Sequence, residues 1–263
     1  MPDLARADPE IVVIIPARLA STRFPEKVLA ARTGRPLIQH VYEAARRSRR
    51  VARAVIAADD ARVADAARAF GAPCVLTRPD HPNGTSRLAE AAAALALPPD
   101  AIVVNVQGDE PEVEPGAIDA AVDAMTRAGA LMGTLASPIR DVADAINPNV
   151  VKVVLGVEQQ ALYFSRAAIP FFRDRSEPSP AGLLRHVGLY VYRRSFLDTY
   201  LSLPPTPLEQ AEKLEQLRVL EHGYAISVAL VDSASPGIDT PEQYNAFVDR
   251  WRRAHPQSSR SSG

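Results

Sequence analysis

Short apolar runs alternate with alanine-rich amphipathic stretches through the first half of the chain. Residues 11–15, 51–57, 73–76 and 101–106 are continuous enough in Val, Ile, Leu and Ala to predict buried strands. Between them, the spacing of apolar positions over 36–47, 61–70 and 85–97 predicts helices. Strand, helix and strand in this order are the rhythm of a parallel sheet covered on both faces. The rhythm changes after about Leu131. Residues 150–155, 161–165 and 187–192 are short strand-like runs with aromatic residues and no full helix between them, which predicts an antiparallel excursion. A helix over 208–221, a strand over 225–231 and a last helix over 240–255 complete the pattern. The fold class is therefore α/β, a mainly parallel, Rossmann-like three-layer sheet with an antiparallel excursion, in a single domain over 9–255. The polar stretch 171–183, with Pro178 and Pro180 in it and Pro170 before it, reads as a surface loop that could act as a lid, and the Ser-rich 256–263 as a disordered tail.

Composition narrows the functional classes. The 263 residues can bury a sizeable core, and 30 basic against 31 acidic side chains leave a net charge of -1, so no nucleic-acid surface is expected and any anion site must come from local clustering. The single Cys74 excludes an intramolecular disulfide and a cysteine-based zinc site. No apolar run approaches membrane-spanning length, and the start, Met1-Pro2-Asp3-Leu4-Ala5-Arg6-Ala7-Asp8, lacks the blocks of a secretory signal, so a cytoplasmic protein without membrane partners is expected.

The densest chemistry follows the first strand. Ile14-Ile15-Pro16-Ala17-Arg18-Leu19-Ala20-Ser21-Thr22-Arg23-Phe24-Pro25-Glu26-Lys27 carries three cations, Arg18, Arg23 and Lys27, in the loop at a strand's carboxyl end, where open α/β sheets bind ligands. Backbone N–H groups and cations together suit a triphosphate, although a solvated basic loop has the same composition. Neither the P-loop pattern nor the dinucleotide fingerprint occurs there. Asp109 stands just beyond the strand 101–106, beside that loop, after Gly108, which permits close backbone approach; this is a common position for a hard-cation ligand facing phosphates. Asp239 precedes the last helix and could equally be its cap. Arg46, Arg47, Arg49 and Arg50 end a helix, where cations favour the dipole, and His40, His81, His222 and His255 have no metal-ligand spacing.

The order Pro-Ala-Arg, Ser-Thr-Arg, Pro, Lys resembles the opening motif of the bacterial sugar-activating cytidylyltransferases, in particular the 3-deoxy-manno-octulosonate (KDO) cytidylyltransferase family. The resemblance continues in order through His81-Pro82-Asn83-Gly84-Thr85-Ser86-Arg87, Asn105-Val106-Gln107-Gly108-Asp109-Glu110-Pro111, Asn147-Pro148-Asn149-Val150-Val151-Lys152, Ala161-Leu162-Tyr163-Phe164-Ser165-Arg166, Arg185-His186-Val187-Gly188-Leu189-Tyr190, Leu214-Glu215-Gln216-Leu217-Arg218 and Gly237-Ile238-Asp239-Thr240-Pro241. It implies a nucleotidyltransferase fold that moves CMP from CTP to the anomeric 2-hydroxyl of KDO, giving CMP-KDO and pyrophosphate for lipopolysaccharide biosynthesis, in a homodimer.

The resemblance also implies residue roles. Catalytic positions are Arg18, Lys27, Asp109 and Asp239, with Mg²⁺ on Asp109 and Asp239. CTP falls to Ala17, Arg18, Ser21, Lys27, Arg78, Gly84, Thr85, Arg87 and Asp109, within a CTP-binding part over 9–130. The sugar falls to Arg23, Gln107, Arg166, His186, Tyr190, Glu215 and Gln216, in a sugar-binding and dimerisation part over about 131–224. Two positions depart from the family: Glu26 stands where glycine is usual, and Ser86 where an acid is usual. A carboxylate beside Lys27 would weaken anion binding if it pointed inward, so Glu26 is expected to face solvent. The intact Ser21-Thr22-Arg23 and Arg185-His186 blocks favour KDO over sialic acid; 8-amino KDO remains open. A non-catalytic nucleotide-binding module is disfavoured by retention of both aspartates, and hydride transfer by the absent glycine fingerprint.

Overall fold

The computed structural model describes residues 8–174, 180–232 and 237–256. The expected tail beyond residue 256, the first seven residues and the centre of the expected lid, including Pro178, lie outside the described residues.

In the first half the strands are β1 (Ile11–Ala17), β2 (Arg53–Ala58), β3 (Cys74–Leu76) and β4 (Ile102–Asn105), interleaved with α1 (Leu37–Ala45), α2 (Ala61–Ala69) and α3 (Gly84–Ala94). β1 lies between β2 and β4, parallel to both, and β3 extends β2 in the same sense. All seven residues of β1 are buried. Its central place explains the run of Val and Ile, since a strand covered on both faces has no polar side. Val13 and Ile15 join the core under α1, α2 and α4 (Pro115–Ala128), while Val12 and Ile14 face α3. Each such fully buried aliphatic side chain contributes about 1.5–3 kcal/mol relative to exposure.

The second half contains β5 (Met132–Pro138), α5 (Val142–Ile146), β6 (Lys152–Leu155), β7 (Ala161–Ser165), β8 (Leu184–Arg193), α6 (Arg194–Ser202), α7 (Pro207–Glu212), α8 (Gln216–Glu221), β9 (Ile226–Leu230) and α9 (Pro241–Ala254). The expected antiparallel strands are present, one inside the main sheet and two as an excursion from it. β8 runs inside the main sheet, antiparallel between β4 and β5, and β9 closes the edge parallel to β5. β6 and β7 form an antiparallel pair attached to β8 at Lys152 and Arg185. Helices α3, α6 and α8 cover one face, opposite α1, α2 and α4, so the three layers are as expected.

Several stretches differ from the sequence pattern, among them β5, α5 and α6, which have no counterpart in it. α4, unassigned in the pattern, starts with Pro115 in its first turn and ends at Gly129 in the left-handed region, both ordinary helix limits. The single helix expected over 208–221 is broken: Lys213 turns left-handed at φ 54°, and the resulting kink carries Leu214 and Glu215 between α7 and α8. Lys152 is fully buried, and its ammonium donates to the carbonyls of Asn147 (2.9 Å), Val150 (2.6 Å) and Arg166 (2.7 Å), knitting the approach to β6 to the end of β7.

Candidate active site

The basic loop after β1 is held from below by Asp59, at the end of β2. Its Oδ1 accepts from the Leu19 N–H (2.9 Å) and its Oδ2 from Arg87 (3.4 Å). Arg87 is fully buried, also donates to Thr77 Oγ1 (2.6 Å), and has its pKa pulled down by burial against the opposing pull of Asp59. Arg87 therefore supports the loop from within, and it lines neither compartment of the site, in contrast to the direct CTP contact expected from the sequence. Arg18 donates to the His81 carbonyl (3.3 Å), joining the loop to the turn before α3. There His81 hydrogen-bonds both Ser86 (3.0 Å) and Glu90, so the imidazole has an acidic partner although Ser86 itself is neutral.

The two aspartates meet. Gly108 allows this, because a Cβ there would lie 2.7 Å from the Pro16 carbonyl oxygen. The backbone of Asp109 then receives the Ile238 N–H (2.9 Å), which brings the segment before α9 alongside. Lys27 Nζ sits between the carboxylates, 2.6 Å from Asp109 Oδ2 and 3.1 Å from Asp239 Oδ1, and also donates to the Ile238 carbonyl (2.8 Å). Arg23 pairs with the other oxygen of Asp239 at 2.9 Å. Lys27 thus points at the carboxylates and not into open phosphate space. Asp239 does not cap α9; the Thr240 hydroxyl does, accepting from Gln243 N. Burial, and next the Asp109 charge, push the Glu110 carboxyl up to about 8.

Around this cluster lies a cavity of about 510 Å³, with Arg18, Ser21, Arg23, Lys27, Gly84, Gln107 and Asp109 in its wall. The start of α3, capped by Asn83 accepting from Ser86 N, faces it. Cations and a helix N-terminus on one cavity suit a polyanion. A second compartment of about 280 Å³ shares Gly84, Gln107 and Glu215 with the first and is walled by Tyr190, Tyr192, Tyr200 and Gln216. Glu215, carried inward by the kink between α7 and α8, has its pKa raised by burial and receives the Tyr200 hydroxyl at 3.4 Å. Arg218 supports that phenol, its guanidinium 5.2 Å from the Tyr200 ring centre and its Nε on Glu209 at 2.8 Å.

Some expected contacts fall elsewhere. Arg166 lines neither compartment; it donates to the carbonyls of Glu212 (2.7 Å) and Pro148 (2.9 Å), anchoring the turn that delivers Glu215. His186 packs behind Tyr190, with ring centres 5.3 Å apart, and against Phe164. Thr134 Oγ1 donates to the Leu189 carbonyl (2.8 Å), so the His186 Nε2–H donates to Thr134 (2.9 Å), and burial lowers the imidazole pKa to about 3. Thr85 is buried against the Tyr192 hydroxyl in the wall of the second compartment, Ala17 is fully buried in β1, and Arg78 is exposed beside Glu90 and Asp80. Asp59, Tyr192 and Tyr200 were not singled out from the sequence. For Asp59 the signal was there, a carboxylate just past a strand like Asp109; the tyrosines read as core until β8 is known to flank β4.

A family model described as cytidylyltransferase matches residues 12–227. The chain belongs to this family. Its relatives include proteins named 3-deoxy-manno-octulosonate cytidylyltransferase from Geobacter sulfurreducens, 50% identical over 92% of this chain and 99% of that one, and from Syntrophobacter fumaroxidans, 53% identical over 90% and 95%. Among solved structures, CMP:2-keto-3-deoxy-manno-octonic acid synthetase complexed with CTP superposes with a TM-score of 0.87, at 40% identity, over 93% of this chain and 99% of that one. A 4-diphosphocytidyl-2C-methyl-D-erythritol synthase, 13% identical with a TM-score of 0.62 over 92% of this chain and 98% of that one, shares the fold alone. Among the described residues of this cytidylyltransferase no helix is long and apolar enough to cross a membrane.

Two predictions come from these surroundings. Glu26 is exposed, as expected, and pairs with Arg62 at 2.7 Å, but its backbone is left-handed at φ 55°, which is why glycine suits the position. That conformation costs a non-glycine residue about 1 kcal/mol, and an ion pair with both partners more than half exposed returns less. Glu26→Gly should therefore raise the denaturant midpoint slightly with KM for CTP unchanged; a loss of more than about 1 kcal/mol would make the Arg62 pair dominant. The second concerns pH. His186 and His40 have folded pKa values lowered by burial from 6.5 to about 3 and about 4, so the unfolded chain binds more protons below pH 6.5 and stability falls as pH drops through that window. Chemical denaturation from pH 7 to 4 should show His186→Gln with a shallower decline, by up to about 1.4 kcal/mol per pH unit; an unchanged slope would contradict it.

Proposed function

We propose that this cytidylyltransferase transfers CMP from CTP to the anomeric 2-hydroxyl of KDO, releasing pyrophosphate. The observation that carries the reading is the carboxylate pair beside a cation-lined compartment that adjoins a second one walled by phenols, amide and carboxyl groups. The first suits a triphosphate and the second a polyhydroxylated acid. The relatives' names and the CTP complex of the superposed synthetase support the same pairing of substrates.

The hydroxyl oxygen attacks the α-phosphorus, the bond to the bridging oxygen of the β-phosphate breaks, and the hydroxyl proton is released to solvent. Arg18 and the N-terminus of α3 compensate triphosphate charge, and Arg23, paired with Asp239 in the wall of the cation-lined compartment, is the cation offered to the sugar carboxylate. Gln107 and Glu215, shared by both compartments, orient the hydroxyl-bearing ring against the phosphate. Asp109, Asp239 and the Ile238 carbonyl converge on one cationic nitrogen, and the two carboxylates are hard oxygen donors that would hold Mg²⁺. When bound, Mg²⁺ would neutralise phosphate charge and acidify the hydroxyl. Lys27 keeps the two carboxylates together and supplies the local positive charge.

Self-association is part of the reading. The turn between β6 and β7 exposes Val157 completely and β7 exposes Leu162, an apolar face that a second copy would cover. Sedimentation should give a homodimer, and Val157→Asp with Leu162→Glu should shift it to monomer; a wild-type monomer at micromolar concentration refutes this part.

Pyrophosphate release across the four nucleoside triphosphates and a panel of sugar acids tests the reaction, with CTP and KDO as the productive pair. Asp109→Asn and Asp239→Asn should each lower kcat at least roughly a hundredfold at saturating Mg²⁺ with the fold intact by circular dichroism. Near-normal turnover by either variant would sink the two-aspartate site.

A further inference from the structure

Asn105 breaks an otherwise apolar strand. In β4, Ile102 and Val104 face the core under α1 and α4, whereas Val103 faces the α3 and α6 side. Alternation therefore sends the Asn105 side chain to the α3 and α6 side, toward the tyrosine-walled compartment that it lines. The register sets it beside Tyr190 of β8. Asn105 is 2% exposed, and its Oδ1 has no hydrogen-bond partner.

A buried amide oxygen without a donor is unfavourable, and an aliphatic residue would suit a covered strand better. An acceptor kept there has its use when a donor arrives. No group of the compartment supplies one: Oδ1 is without a partner, and the Tyr200 hydroxyl in the same wall donates to Glu215. Hydroxyl groups of a sugar acid are donors of the right kind.

We propose that Asn105 is a sugar-binding and specificity-determining residue, its Oδ1 accepting a hydrogen bond from a hydroxyl of the polyhydroxylated acid. The assignment rests on reading this compartment as the sugar site. It adds a contact from β4 to the compartment that Glu215 also lines. An unmet buried acceptor also disfavours an analogue lacking the hydroxyl, because that analogue leaves Oδ1 unpaired and sealed from water.

Asn105→Leu replaces the amide by an apolar side chain of similar size, and Asn105→Ala guards against misfit. Melting temperature without substrates, and KM for KDO and for CTP separately, are the readouts. Expected for at least one variant are a melting temperature equal to or above wild type, KM for KDO raised roughly tenfold to a hundredfold, and KM for CTP within about twofold of wild type. An unchanged KM for KDO in both variants, with wild type active on KDO, overturns this inference alone. So does a fall in melting temperature accompanied by equal losses toward both substrates, which marks a structural amide. If wild type does not turn over KDO with CTP, the functional reading falls and the assignment of Asn105 falls with it.

Discussion

The contact of Lys27 with Asp109 and Asp239 holds together three segments far apart in the chain: the loop after β1, the loop after β4 and the approach to α9. Two carboxylates brought near one another repel, by about 4 kcal/mol at 4 Å for a surface-like dielectric, unless a cation lies between them. Here Lys27 lies between them and Arg23 takes the outer oxygen of Asp239. The same negative pair that would otherwise push the segments apart thereby becomes a fixed, charge-balanced feature. The Lys27 side chain is only 12% exposed, so this balance is screened less than a surface ion pair.

The position of that cluster follows from the sheet. β1 and β4 are parallel neighbours, so their carboxyl ends open side by side, and Gly108 lets the two backbones approach until a Cβ would collide. β8 then runs antiparallel beside β4 and brings Tyr190 and Tyr192 against the strand that ends in Asn105. The cation-lined cavity and the tyrosine-walled one are contiguous because they are built on adjacent strands of one sheet. Supporting groups stand behind each: Asp59 and Arg87 beneath the loop, His186 and Thr134 behind Tyr190, Arg166 and Arg218 behind the turn that bears Glu215.

Several residues in matching motifs line neither compartment. Arg87, Arg166 and His186 belong to the same blocks as residues that line the cavities, yet each is spent on backbone or buried side-chain partners. A motif preserves whatever a loop needs to hold its shape as well as what touches a ligand, and spacing along the chain does not separate the two. Only the direction of a side chain, set by the packing of its element, does so.

The sequence by itself determined the layers and most of the strands. Hydrophobic periodicity is a local property, and it located β1 to β4, α1 to α3, β7 and α9 because each of these buries the residues that repeat in it. It also placed Arg18, Lys27 and Asp109 at strand ends, where such sheets bind ligands. Strand order, and with it the insertion of β8 between β4 and β5, was not legible, since pairing partners lie far apart in sequence and an antiparallel strand carries the same apolar run as a parallel one. The break at Lys213 was hidden too, because the segment is helical by composition on both sides and only a left-handed residue interrupts it. Whether Asp239 capped a helix or faced Asp109 was open in the chain for the same reason: a carboxylate's partner 130 residues away in sequence is chosen by the fold, here through the Ile238–Asp109 backbone bond and the ammonium of Lys27.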